Sequence, residues 1–271
     1  MLRRWGILLG MLTMLAGLAV ATTGSASAGT MGSASAGTMG FRPGGPIQLA
    51  GSASAVPNAS GGLRHQAEST NWSGYAATTG TYTSVSASWT EPTGTCSGSA
   101  KYSSFWVGLD GYNSSSVEQT GSEVDCSGSS ARYYAWYEMY PNPSHSYSNT
   151  VRPGDHFNAS VTYTGSNHFS LFIQDSTQGW SHTTTGTLAG APRSSAEVIV
   201  EAPCCTASGG ILPLANFHTV NITSSKANGS ALGNAGGVTQ IIMIDSAGRD
   251  KDTVSSLTSG ENFSATWLRS N

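Results

Sequence analysis

The chain has 271 residues, with 12 Lys and Arg against 15 Asp and Glu, a net charge of -3, and only 10% charged residues. That balance excludes the basic surface that nucleic acid or an anionic membrane would need. With so few cations to repel one another once carboxylates neutralise, the composition suits a chain that stays folded in acid.

In chain order, residues 1–28 read as a secretory signal peptide: Arg3 and Arg4, an apolar run over 5–20, and a small-residue end at Ala26-Ser-Ala28. The apolar run is short for a span of about 20 residues, and no later segment is apolar enough to cross a bilayer. The mature chain is therefore expected to be secreted, extracellular and free of the membrane. Residues 29–68 are rich in Gly, Ala and Ser, and the stretch 24–31 repeats as 32–39. Such a stretch has too few apolar groups to offset the entropy of ordering, so a disordered pro-segment or linker is predicted. Residues 69–271 are the length of one domain.

Alternating, β-rich segments follow at 81–89, 131–140, 156–163, 168–174, 196–201, 217–222, 239–245 and 262–268. Turn signals such as Pro153-Gly-Asp155 and Ser208-Gly-Gly210 separate them, and no stretch carries a helical period. Many short strands at regular spacing predict an all-β fold. Large apolar groups on both faces of several strands favour a sandwich over a barrel. Four cysteines in an exported chain favour disulfides. Cys96 and Cys126 flank a strand-turn-strand unit and are candidates to close a loop around it, while the pairing of Cys204 and Cys205 is open.

The usual nucleophile, metal and nucleotide motifs are missing, and no Cys or His spacing suits zinc, so no metal or cofactor is expected. Chemistry then falls to carboxylates and amides. Glu138 sits inside Trp136-Tyr-Glu-Met-Tyr140, and Glu197 and Glu201 bracket Val198-Ile-Val200 on one face of a strand. Burying carboxylates is costly unless they are bonded or protonated; an exposed sheet face is the other reading. Gln119, after the strand at Tyr102–Leu109, offers a neutral donor that works at any pH. A glycoside hydrolase is a second possibility. Glu197 and Glu201, however, stand about 13 Å apart along a strand, beyond the roughly 5–9.5 Å between catalytic carboxyls. A non-catalytic carbohydrate-binding sandwich is a third.

Seven pieces, in order, resemble the glutamic peptidases (eqolisins). They are Asn71-Trp-Ser-Gly-Tyr75, Phe105-Trp-Val-Gly-Leu-Asp-Gly111, Glu118-Gln-Thr-Gly121, Ala135-Trp-Tyr-Glu-Met-Tyr-Pro141, Pro153-Gly-Asp155, Ala196-Glu-Val-Ile-Val-Glu201 and Leu212-Pro-Leu-Ala-Asn-Phe217. The resemblance covers nearly all of the chain from Asn71 to Leu268. It implies two antiparallel sheets of about seven strands each, jelly-roll or lectin-like, and a secreted acid endopeptidase made with a pro-segment. It also implies a Gln/Glu dyad of Gln119 and Glu201, the spacing favouring Glu201 over Glu197. In that reading Gln119 is the donor that keeps Glu201 ionised, Trp106 and Asp110 shape the cleft and fix the glutamine strand, and Glu138, Glu197 and Trp72 support or line it. The partner is a polypeptide substrate and the chain a monomer. Val198, Met139, Tyr134 and Glu123 depart from the family pattern, which bears on subsite preference and pH optimum.

Overall fold

A computed structural model describes residues 44–51, 54–57, 63–204 and 210–271. The signal peptide, the repeat and Cys205 lie outside these residues. β1 (Ser54–Pro57), β2 (Leu63–Ser69) and β3 (Trp72–Ala77) come first, and β4 (Ser84–Thr90) then crosses to a second sheet. β5 (Lys101–Leu109), β6 (Val117–Ser127) and β7 (Ser130–Tyr140) form a meander in the first sheet, with β8 (His145–Ser146) on its edge. β9 (His156–Gly165), β10 (His168–Asp175) and β11 (Trp180–Thr187) form a second meander, and β12 (Ala196–Glu201) returns to the middle of the first sheet. β13 (Thr219–Ala227), β14 (Ser230–Ala231), a 3-10 turn at Leu232–Asn234, β15 (Val238–Met243), β16 (Asp252–Val254) and β17 (Phe263–Trp267) complete the described chain.

The first sheet has nine strands in the order β1-β2-β15-β3-β12-β5-β6-β7-β8, and the second has β11-β10-β9-β4-β13-β17-β16, with β14 beside β13. Pairing is antiparallel except between β15 and β2. The predicted β-sandwich is thus present, with more strands than expected. The excess of two in the first sheet comes from β1 and β2, which precede the region of resemblance. Part of the stretch predicted to lack structure is therefore strand. Leu63–Ser69 finds a free sheet edge at β15 and buries Ala67 and Ser69 there, which average composition does not reveal.

The core fills the space between the sheets. Phe105, Val107, Leu109, Val198 and Val200 from the first sheet meet Val85, Trp89, Phe157, Val161, Leu171 and Ile222 from the second. In the second sheet β4 and β10 alternate buried and partly exposed residues, as a sheet with one wet face should. The central strands of the first sheet do not: β3 and β12 are buried at every position, and β5 at nearly every one. Their outer face is covered as well, and that face carries the carboxylates. The Cys96–Cys126 disulfide ties the chain before β5 to the end of β6, as the flanking cysteines suggested. Cys204 is disulfide-bonded too. Among the described residues no helix is long and apolar enough to cross a membrane.

Candidate active site

Strand register builds the site. Across β12, β5, β6 and β7, Glu197, Gly108, Gln119 and Glu138 stand in one row. Two residues along, the row is Ile199, Trp106, Gly121 and Trp136; two further, it is Glu201, Ser104, Glu123 and Tyr134. Side chains repeat their direction every second residue. Gln119, Glu138, Glu197, Glu201, Trp106 and Trp136 therefore share the outer face, opposite the valines and Phe105 of the core. Gly121 makes room there: a methyl group on it would lie 2.2 Å from the Phe105 carbonyl oxygen and 2.6 Å from Trp106 Cβ.

Glu201 is fully buried among donors. Trp106 Nε1 donates to Glu201 Oε2 at 2.8 Å. Trp72 packs edge-on against Trp106 at 4.9 Å. The Trp72 indole, the Gly44 N–H and the Asn71 amide also face the carboxyl and favour its ionised form, although within strict hydrogen-bond geometry Oε1 has no partner among the described residues. Burial nevertheless outweighs these donors and pushes the Glu201 carboxyl up to about 8. That differs from the expectation that nearby donors keep it ionised in acid. The expected role of Gln119 differs too: Gln119 Nε2 donates to Glu138 Oε2 at 2.8 Å, not to Glu201. The reason is a residue of the chain itself. A methyl group on Gly44 would fall 1.8 Å from Gln119 Nε2 and 2.3 Å from Glu138 Oε2, so Gly44 lies against both while its N–H faces Glu201. Gln119 and Glu201 thus converge on opposite sides of one glycine.

Glu197 has different company. It is also fully buried, against the reading of Glu197 and Glu201 as an exposed sheet face. Its pKa is raised well above the ordinary value, first by burial, and Asp110 and Glu118 add to the rise while Ser195 opposes it. Asp110 accepts from the Arg193 and Ser194 N–H groups at 2.8 Å each and so pins the turn that leads into β12. It reaches the glutamine strand only through Glu118, whose carboxyl it faces and helps push up to about 9, after burial. A third acid group, Glu123 with Asp125 and Tyr134, sits in the row of Glu201, and burial first and then Asp125 raise the Glu123 pKa.

Strand register sets Gln119, Glu138, Glu201 and Trp106, each singled out in the sequence, on one face, with Trp72 packed against Trp106, and Asp110 meets the glutamine strand at Glu118. Sequence reasoning missed Asn71 as a neighbour of Glu201, although the Asn71-Trp72 pair stood in a recognised motif. It also missed Gly44. The available signal was Pro46-Ile-Gln-Leu49, an apolar break in the Gly/Ala/Ser-rich stretch. Chemically, the face offers one carboxyl ringed by donors and one neutral amide beyond it, which suits proton transfer and stabilisation of a developing oxyanion.

The profile of the Peptidase A4 family matches residues 70–267. Aspergillopepsin-2 of Aspergillus niger is 29% identical over 198 residues, covering 64% of this chain and 70% of that protein. Scytalidopepsin B of Scytalidium lignicola is 31% identical over 159 residues, covering 54% of this chain and 58% of that protein. The crystal structure of scytalido-glutamic peptidase with a transition state analog inhibitor superposes with a TM-score of 0.64 at 25% identity, covering 73% of this chain and 98% of that one. The chain belongs to the Peptidase A4 family, the glutamic peptidases, and is a hydrolase of peptide bonds.

Proposed function

We propose that this protein is a secreted acid endopeptidase that cleaves polypeptides with Glu201 as general base and then acid, and Gln119 as oxyanion donor. The observation that carries this reading is the convergence of Gln119 and Glu201 on one point, with Trp106, Trp72 and Asn71 directed at the Glu201 carboxyl. Ionised Glu201 takes a proton from water as the water attacks the scissile carbonyl. The Gln119 amide donates to the oxygen that gains charge, an interaction worth about 3–4 kcal/mol in a preorganised site. Glu201 then gives its proton to the departing nitrogen, so the step closes without a covalent intermediate. Glu138 holds the Gln119 amide in place, and Trp106 Nε1 stabilises the ionised form of Glu201.

The raised Glu201 pKa belongs to the site with residues 44–47 lying over it. Displacing them lets water reach the carboxyl, removes the largest cause of the rise and leaves the donors to lower the pKa. Export through residues 1–28 and removal of the stretch before the domain belong to the same reading. The test is hydrolysis of denatured casein at about pH 3.5, near the ordinary Glu range. Peptide release that resists chelators and serine-directed reagents, and that disappears in Gln119→Ala, is the expected result. No peptide release, or a Gln119→Ala protein as fast as the wild type, contradicts the reading.

A further inference from the structure

Residues 44–50 precede the matched domain, yet they lie along its outer face, held there through backbone polar groups of Gly44, Pro46, Ile47, Gln48 and Ala50. Asn71, itself buried, grips them with both ends of its amide: Nδ2 donates to the Pro46 carbonyl at 3.3 Å, and Oδ1 accepts from the Gln48 N–H at 2.7 Å. The Ile47 N–H donates to the Gly111 carbonyl at 3.1 Å, and the Thr70 N–H donates to the Gln48 carbonyl at 2.9 Å. Ala50 continues the path with a 2.9 Å bond to the Glu68 carbonyl. None of these bonds reads side-chain identity. One side chain is read: Ile47 packs against the apolar cluster of Trp72, Trp106, Ile199 and Ile241. At the near end, Gly44 turns its N–H to Glu201 and its α-carbon to Gln119 and Glu138.

The gripping residues belong to the family domain and the gripped ones do not, so the groove is a property of the enzyme and the segment is its occupant. We infer that the groove from Glu201 past Asn71 is a peptide-binding subsite that clamps a peptide backbone through Asn71 and the Gly111 carbonyl and selects a branched aliphatic side chain three residues beyond the one at the dyad, with Gly44–Gln48 as its resident ligand. The inference rests on the reading of Gln119 and Glu201 as the reacting pair, which fixes where the groove begins. Asn71 is a positioning residue in this account. The groove takes substrate only after Gly44–Gln48 has left it, so weakening the one side-chain anchor should free the site.

The test uses the full chain with Ile47→Ser, a half-buried position outside the core. Its initial rate on casein, taken before mass spectrometry detects any shortening of the chain, should exceed that of the wild type about tenfold, the factor expected when one buried aliphatic side chain is lost. The free peptide Gly-Gly-Pro-Ile-Gln-Leu-Ala should inhibit this variant competitively, and the same peptide with serine for isoleucine should inhibit about tenfold less. An unchanged initial rate, or equal inhibition by the two peptides, overturns the proposal. If neither protein hydrolyses casein, the dyad reading fails, and calorimetric binding of the two peptides to the Ile47→Ser protein still decides the subsite. Tighter binding of the isoleucine peptide supports it, and equal binding overturns it.

Discussion

The two ends of β12 carry the same residue in opposite surroundings. Glu197 and Glu201 lie on one strand, point to one face and are both fully buried. At the Glu201 end the groups directed at the carboxyl are donors, two indoles, an amide and a backbone N–H, with Glu123 an acid further along the same row. At the Glu197 end a single donor, Ser195, opposes burial, and two further acids, Asp110 and Glu118, add to the rise. A carboxyl among donors is ready to ionise once water reaches it, whereas one among acids stays protonated and serves as a neutral packing group. The comparison teaches that burial alone does not mark a working carboxylate; the polarity of its lining does.

The comparison can be broken at several points. After the general base itself, the largest effect is expected at Gln119, which faces the Glu201 end: Gln119→Ala should lower kcat on a peptide substrate about 10²–10³-fold, the usual cost of removing one oxyanion donor. Melting temperature should fall by a few degrees, because buried Glu138 loses the Gln119 bond, with the protein still folded. A loss of less than about tenfold would mean that the amide does not touch the reacting carbonyl. Next is Trp106→Phe, which removes the 2.8 Å hydrogen bond to Glu201. Because that bond favours the ionised carboxyl, its loss should raise the working pKa and move the acid limb of the kcat profile to higher pH. The rate should fall about tenfold at the acid end, in line with a lost hydrogen bond to a charged group. An unshifted acid limb would show that Trp106 does not tune Glu201.

The Glu197 end makes a prediction about stability. Glu118 is pushed up to about 9, Glu91 to about 8 and Asp252 to about 7, and Glu197 lies well above the ordinary value, burial being the first cause in each. A carboxyl whose folded pKa is raised stabilises the fold fully below its unfolded value near 4 and loses that contribution as pH rises through the folded value. Melting temperature should therefore be highest at about pH 3–4 and fall continuously toward about pH 8. Glu197→Gln should flatten the fall by removing one of the groups. A melting temperature that rises from acid to neutral pH would contradict the assignment. The smallest effect is expected at Asp110, which pins the turn before β12 rather than the dyad. Asp110→Ala should lower the melting temperature by about 3–6 °C with activity kept within about threefold.

Much of this was legible in the sequence because strand periodicity fixes faces. The alternation in Ala196–Glu201 put Glu197 and Glu201 on one face of a strand, and the resemblance paired Gln119 with Glu201; the strand register sets all three on the outer face. What sits over that face was not legible. Whether Glu197 and Glu201 are exposed depends on residues far off in the chain, and only their placement showed that both are buried and differently lined. The same limit hid β2 and the path of residues 44–50. Their pairing is held by backbone groups, which leave no mark on residue type beyond the short apolar break at Pro46-Ile-Gln-Leu49. Asp110 has a second set of partners that residue type did not suggest: the backbone N–H groups of Arg193 and Ser194, some 83 and 84 residues away.

The central claim concerns which end of β12 does the chemistry, and one paired measurement addresses it. Casein hydrolysis at about pH 3.5 is compared for Glu201→Gln and Glu197→Gln in the full chain, each with its melting temperature. The account predicts that Glu201→Gln loses activity by about 10³-fold or more while remaining folded, and that Glu197→Gln stays within a few-fold of the wild type. An active Glu201→Gln protein beside a folded but inactive Glu197→Gln protein would contradict it.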